Sequence, residues 1–213
     1  MTNSDNTVIV VVLDRSGSMV SIKSDTEGGF NAFMAEQAKQ PGNVLVTLAQ
    51  FDTEYEIVYT DKPISEVPKL DLRPRGATSL LDAIGLTVVA TGERLAALQE
   101  DERPAHVIVL VMTDGLENSS KEWTKEKVFE LVKQQTDDYS WVFIFMGANQ
   151  DAIAEGAKMG FSGDSSLTYD SANVSQAVQN TSNLVGRVRA GGQAVYTAVE
   201  RETSTTTKTG RKK

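Results

Sequence analysis

Two stretches, VIVVVL at Val8–Leu13 and VIVLVM at Val107–Met112, are unbroken runs of apolar and mostly β-branched residues. A strand with one face in water alternates polar and apolar side chains, so a run without alternation belongs to a strand covered on both faces. Strand-like runs occur at Thr7–Leu13, Val44–Phe51, Tyr55–Thr60, His106–Met112 and Trp141–Met146, with a shorter one at Ser166–Tyr169. Between them lie patterns of helical period. Phe30, Phe33 and Met34 share one face; Leu80, Ile84, Val88, Thr91, Leu95 and Leu98 form a longer stripe; Val128, Leu131 and Val132 mark a third. A last helix carries Val174, Ala177, Val178, Thr181, Val185 and Val188 and ends near Gly191 and Gly192. Strands alternating with helices predict an α/β fold, a doubly wound and mostly parallel six-stranded sheet with helices on both faces. Only Asp52, Thr53 and Glu54 separate the second and third runs. That gap is too short for a helical crossover, so Tyr55–Thr60 is expected to be an antiparallel edge strand.

The chain has 213 residues, enough for one domain that buries roughly 70% of its unfolded surface. An apolar fraction of 40% and a charged fraction of 23% are those of a water-soluble globular protein. Cysteine is absent, which excludes disulfides, thiolate metal sites and thiol nucleophiles. The polar start MTNSDNT has no basic residue, and the apolar run after it is too short for a membrane span or a signal core. A cytoplasmic protein without membrane attachment is therefore expected. Net charge is −8, with Lys208, Arg211, Lys212 and Lys213 contributing +4 near the C-terminus, hence −12 on the remainder. So acidic a body repels nucleic acid. The stretch TSTTTKTGRKK from Thr203 has no apolar residue to pack; the expected organisation is one domain over 1–202 and a disordered basic tail over 203–213.

In an open parallel sheet, functional groups gather beyond the carboxyl ends of the strands, where successive crossovers leave to opposite faces. Two of the buried runs end on aspartate there, Asp14 in DRSGSM and Asp114 in TDGLEN. Ser16 and Ser18 follow the first, and a third loop, RPRGATSLLDAIG, opens the Leu80 helix and carries Thr78, whose hydroxyl can turn toward the same crevice. Two carboxylates and three hydroxyls make an all-oxygen set suited to a hard divalent cation such as Mg²⁺, which needs few direct carboxylates and keeps several waters. Neutral hydroxyls also leave the ion's charge largely uncompensated, so a free coordination position stays attractive to an outside anion. The blander roles are a turn at Asp14 and Ser16 and an N-cap at Thr78. Arg73 and Arg75 flank the third loop, either to guide an acidic partner or as solvated loop charge. Glu117 and Asn118 either hold Asp114 or cap the following helix, and Asp52 at the hairpin tip is expected to serve the turn.

DRSGSM, then GATS, then TDG resembles the von Willebrand factor type A domain and its metal-ion-dependent adhesion site, over roughly Thr7–Arg189. IKSDTEGGFNAF, FDTEYEIVY, LLDAIG, TDGLENSS and FIFMGANQDA look like the stand-alone cytosolic A domains of bacteria and their phages. The resemblance implies that Asp14, Ser16, Ser18, Thr78 and Asp114 hold Mg²⁺ or Mn²⁺. Ser16, Ser18 and Thr78 would bind through hydroxyls, and Asp14 and Asp114 directly or through water. It also implies a protein partner whose Glu or Asp completes the shell, and hence an interaction module without enzymatic activity.

The alternative is a metal-assisted phosphatase or hydrolase on the same edge. A haloacid-dehalogenase-like enzyme would place a second Asp two residues after the nucleophile, where this chain has Ser16. Acid/base catalysis near neutral pH falls most naturally to histidine, and His106 is the sole one. Eight residues at about 3.3 Å each place it roughly 26 Å from the aspartate edge. No GxxxxGK[ST] or strand-following GxGxxG is present, which removes the phosphate cradles.

Overall fold

The computed structural model describes residues 3–205. Six strands form one sheet: β1 (Asn3–Asp14), β2 (Asn43–Phe51), β3 (Tyr55–Pro63), β4 (Pro104–Thr113), β5 (Val142–Ala148) and β6 (Ser166–Tyr169). Their order is β3-β2-β1-β4-β5-β6; β3 runs antiparallel to β2 and all other pairs are parallel. Among the described residues six α-helices accompany them: α1 (Lys23–Ala38), α2 (Leu80–Ala96), α3 (Lys125–Tyr139), α4 (Ala152–Ala157), α5 (Val174–Arg189) and α6 (Ala198–Thr205). Among the described residues no helix is long and apolar enough to cross a membrane.

The missing alternation in β1 now has a physical cause. Ile9, Val11 and Leu13 point into the core shared with α1 and α5, while Val8, Val10 and Val12 point into a second core with α2 and α3. β4 repeats the pattern, with Ile108, Leu110 and Met112 on the first side and Val107, Val109 and Val111 on the second. The side chains of Val8–Leu13 and Val107–Met112 are therefore removed from water on both faces, each contributing on the order of 1.5–3 kcal/mol. The chain leaves β1 toward one face through α1 and enters β4 from the other through α2, so the sheet's switch point lies between β1 and β4. Asp14 and Asp114 stand at its carboxyl edge.

The two edge strands are protected differently. β3 keeps Ile57 and Val58 exposed but carries register shifts against β2, together with Lys62, Pro63 and a left-handed Asp61 at φ 47°, devices that discourage pairing with another chain. The β6 side is covered by α6, which the helical periodicities did not reveal. Arg201 donates to the carbonyls of Ser166, Gly163 and Asp164, and the buried Asn180 amide faces Glu200 O, Thr203 Oγ1 and Ser204 Oγ at 2.9–3.0 Å. Arg187 holds the Glu200 carboxylate through both oxygens at 2.8 Å.

Polar contacts rather than apolar periodicity thus dock α6, which runs three residues past the 202/203 boundary expected from composition; the stretch 206–213 lies outside the described residues. Asn180→Leu leaves these acceptors without their donor. The expected result is local opening made easier by about 1–3 kcal/mol, read as amide-exchange protection lost over Ala198–Thr205 while β1 and β4 keep theirs.

Candidate metal centre

β1 delivers Asp14 fully buried, with no exposed surface. Both carboxylate oxygens are engaged: Oδ1 accepts the Ser16 N–H at 2.6 Å, and Oδ2 accepts the hydroxyl of Thr113, the last residue of β4, at 2.6 Å. After Ser16 the chain turns into a short 3₁₀ segment, Gly17–Ile22, which brings Ser18 back beside Ser16. Their hydroxyls lie 3.1 Å apart, and Ser18 donates to Asp114 Oδ1 at 2.6 Å. Thr78 comes from the loop before α2, and its Oγ1 approaches Gly115. A Cβ on Gly115 would stand 3.0 Å from that hydroxyl and 3.7 Å from Ser18 Oγ, so a side chain there would crowd Thr78. All five residues expected from sequence therefore gather at one edge, with Asp14, Ser16 and Thr78 buried and Ser18 open to solvent.

The electrostatics are those of an uncompensated anionic site. Burial pushes the Asp14 carboxyl up to about 6, against which its bonds from Thr113 and Ser16 act; the neighbouring Asp114 adds to the rise. Asp114 is itself raised, again chiefly by burial. Among the described residues neither carboxylate has an ion pair with Lys, Arg or His. Beneath them the Tyr169 hydroxyl is buried and unpartnered, and burial followed by the two carboxylates drives its pKa upward. No cluster of three or more His, Cys, Asp or Glu suited to a metal occurs among the described residues. A cation here would thus rest on hydroxyls and two carboxylates, a donor set that fits a hard divalent ion.

The supports of this edge are where sequence reasoning fell short. Glu117 and Asn118 neither hold Asp114 nor cap α3, whose N-cap is Thr124. Instead they brace the Thr78 loop: Asn118 accepts the Thr78 N–H at 2.9 Å and donates its own N–H to Thr78 O at 3.1 Å. Glu117 accepts the Leu81 N–H at the start of α2 together with the Ser119 and Ser120 N–H groups, at 2.7–2.9 Å. From the opposite side, Asp52 is a buried junction rather than a simple turn residue. Its carboxylate receives Arg15 Nε at 2.7 Å and Arg75 Nε at 2.9 Å, and its carbonyl receives the Ser79 N–H at 3.0 Å. Arg15, a spacer position in DRSGSM, is itself buried and also pairs with Glu56. Nothing in the linear sequence flags Arg15, because its partners lie 37 and 41 residues away. His106 opposes Thr7 at the far end of the sheet, remote from all of these groups.

No protein-family model matches the chain, and no curated protein sequence does either. Solved structures do. The vWF domain of the type V pili tip protein Mfa5 from Porphyromonas gingivalis superposes with a TM-score of 0.60 at 10% identity, over 88% of this chain and 96% of that one. A von Willebrand factor type A protein from Catenulispora acidiphila gives 0.56 at 12% identity, over 86% and 43%. Proximal thread matrix protein 1 from the mussel byssus, with a zinc-occupied MIDAS motif, gives 0.59 at 16% identity, over 86% and 47%. The chain spans less than half the length of the last two. With the strand order, the antiparallel edge and the switch point already described, these likenesses establish that the chain has the von Willebrand factor type A fold.

Proposed function

We propose that this chain is a metal-dependent protein-interaction module. Asp14, Ser16, Ser18, Thr78 and Asp114 hold Mg²⁺ or Mn²⁺, and a Glu or Asp of a protein partner takes the coordination position left toward solvent. The bound ion supplies positive charge at an exposed position, which attracts an external carboxylate. Asp14 and Asp114 neutralise the ion, the hydroxyls fill coordination positions without adding charge, and Asn118, Glu117 and Asp52 keep the three loops in place. The observation that carries this reading is the pair of raised, unpaired carboxylates joined through serine hydroxyls at the sheet edge. The zinc-occupied MIDAS motif of the mussel protein supports it.

Isothermal titration with MgCl₂ and MnCl₂ tests the assignment. Ser16→Ala combined with Ser18→Ala is expected to weaken binding by at least about tenfold, with an unchanged far-UV circular dichroism spectrum. Unaltered titration curves in the double variant would remove these residues from the ligand set.

A further inference from the structure

At the amino end of the sheet, opposite the candidate metal centre, a groove of about 700 Å³ lies between the second halves of α2 and α3. Val88, Leu95, Val107 and Trp141, all buried, make its floor, while Val89 and Tyr139 stand exposed on its rim. From Val88 to Ala96, both on the lining, α2 advances roughly 12 Å at about 1.5 Å per residue. That length suits a few residues of a bound chain.

Glycine marks the groove wall. α2 carries two glycines, Gly85 and Gly92, seven residues apart and therefore on one face of the helix. Gly85 offers its bare backbone to the Trp123 indole, which a Cβ would strike. Gly92 lies two turns on and lines the groove, and a Cβ there would meet nothing within 4 Å. Glycine inside a helix weakens it relative to alanine, and at Gly92 no described neighbour requires it.

The groove stays acidic once its ion pairs are counted. Of the four charged residues on its lining, Glu100 and Arg103 pair at 3.0 Å. Glu93 and Asp138 have no ion pair among the described residues, because the nearest cations along their helices, Arg94 and Lys133, are taken by Asp61 and Asp137. Two uncompensated carboxylates beside an apolar trough favour an occupant that is both basic and apolar. The chain's own basic stretch 208–213 has no apolar side chain to fill it, and a second copy brings a net charge of −8.

We infer that this groove is a second interaction surface, separate from the metal centre, for a partner polypeptide. It seats an aromatic side chain against Gly92, beside Tyr139 and Trp141, as Trp123 sits against Gly85. A neighbouring lysine or arginine of the partner meets Glu93 and Asp138. None of these contacts needs a metal.

A fluorescein-labelled pentapeptide of alternating lysine and phenylalanine, followed by anisotropy in EDTA, tests the groove. Binding is expected below about 1 mM, and at least about tenfold weaker for peptides with serine in place of phenylalanine or glutamate in place of lysine. Gly92→Leu fills the trough and is expected to weaken binding at least about tenfold. The same change is expected to raise the urea midpoint, since leucine is the better helix former. Glu93→Gln with Asp138→Asn is expected to weaken binding about fivefold. Glu66→Gln with Glu130→Gln makes the same charge change at exposed positions off the groove and is expected to leave binding close to that of the parent. No binding at about 1 mM peptide, equal weakening by the control pair, or unchanged binding in Gly92→Leu would overturn the inference. So would a dimer, seen by sedimentation, that Gly92→Leu dissociates, since the occupant would then be a second copy.

Discussion

Asp14→Asn is expected to make the chelated protein more stable than its parent at about pH 7.5, by on the order of 1–3 kcal/mol. Removing a charged group from a folded core ordinarily weakens it, so the sign is informative. The Asp14 carboxyl has an ordinary value of 3.8 and is raised to about 6 in the fold. Between those values the folded state binds more protons than the unfolded state, so stability falls as pH rises through the window and levels off above it. The gap corresponds to about 3 kcal/mol at most, reduced because Asn cannot accept from both the Ser16 N–H and Thr113 as the carboxylate does. A cation that binds only the folded chain reverses the balance in the parent by about 2.7 kcal/mol at a hundredfold excess over its Kd. In the variant that response is expected to vanish. Urea midpoints at about pH 4 and 7.5, with EDTA and with Mg²⁺, measure all of these differences. A variant less stable than its parent in EDTA at neutral pH, or still stabilised by Mg²⁺, contradicts the assignment.

Gly85→Ala is expected to destabilise the protein by about 3 kcal/mol, although helix propensity alone favours alanine by about 1 kcal/mol. Gly85 sits within α2, and a Cβ there would fall 2.0 Å from Cδ2 and 2.2 Å from Cε2 of Trp123. Three atoms of the rigid indole, Cδ2, Cε2 and Cε3, lie within 2.6 Å of that position, so the ring has to be displaced. Its departure also strains the loop that braces Thr78, because the Lys121, Glu122 and Trp123 N–H groups all donate to the Asp82 carboxylate one turn earlier on the same helix. Thermal or urea unfolding of Gly85→Ala, Trp123→Ala and the double variant measures the coupling. Once the indole is gone, the alanine is expected to be neutral or stabilising. Destabilisation that persists in the Trp123→Ala background would assign the cost to something other than this contact.

The strands and most of the helices were legible in the sequence because burial imposes a local period. Val8–Leu13 lacks alternation since two cores claim its two faces, and the stripe from Leu80 to Leu95 repeats at helical spacing since one core claims one face. Asp52–Glu54 announced the antiparallel edge by its length alone. Asp14, Ser16, Ser18, Thr78 and Asp114 stood out as a group because each sits where a regular element begins or ends, a position that can be located without knowing the fold in detail. The α6 helix did not stand out, since Asn180, Glu200 and Arg201 hold it through polar bonds that leave no periodic trace. Trp123 and Gly85 likewise read as a loop aromatic and an unremarkable helix glycine until the one was found lying on the other.

By itself, then, the sequence determined the layered sheet and which oxygen-bearing residues end its strands, since backbone periodicity and element ends are set by neighbours along the chain. Tertiary structure alone decided what those residues are held by. Arg15 and Arg75 on Asp52 and Asn118 on Thr78 join loops dozens of residues apart. Such contacts depend on where folded strands deposit their loops in space, and a linear pattern carries no distance between loops.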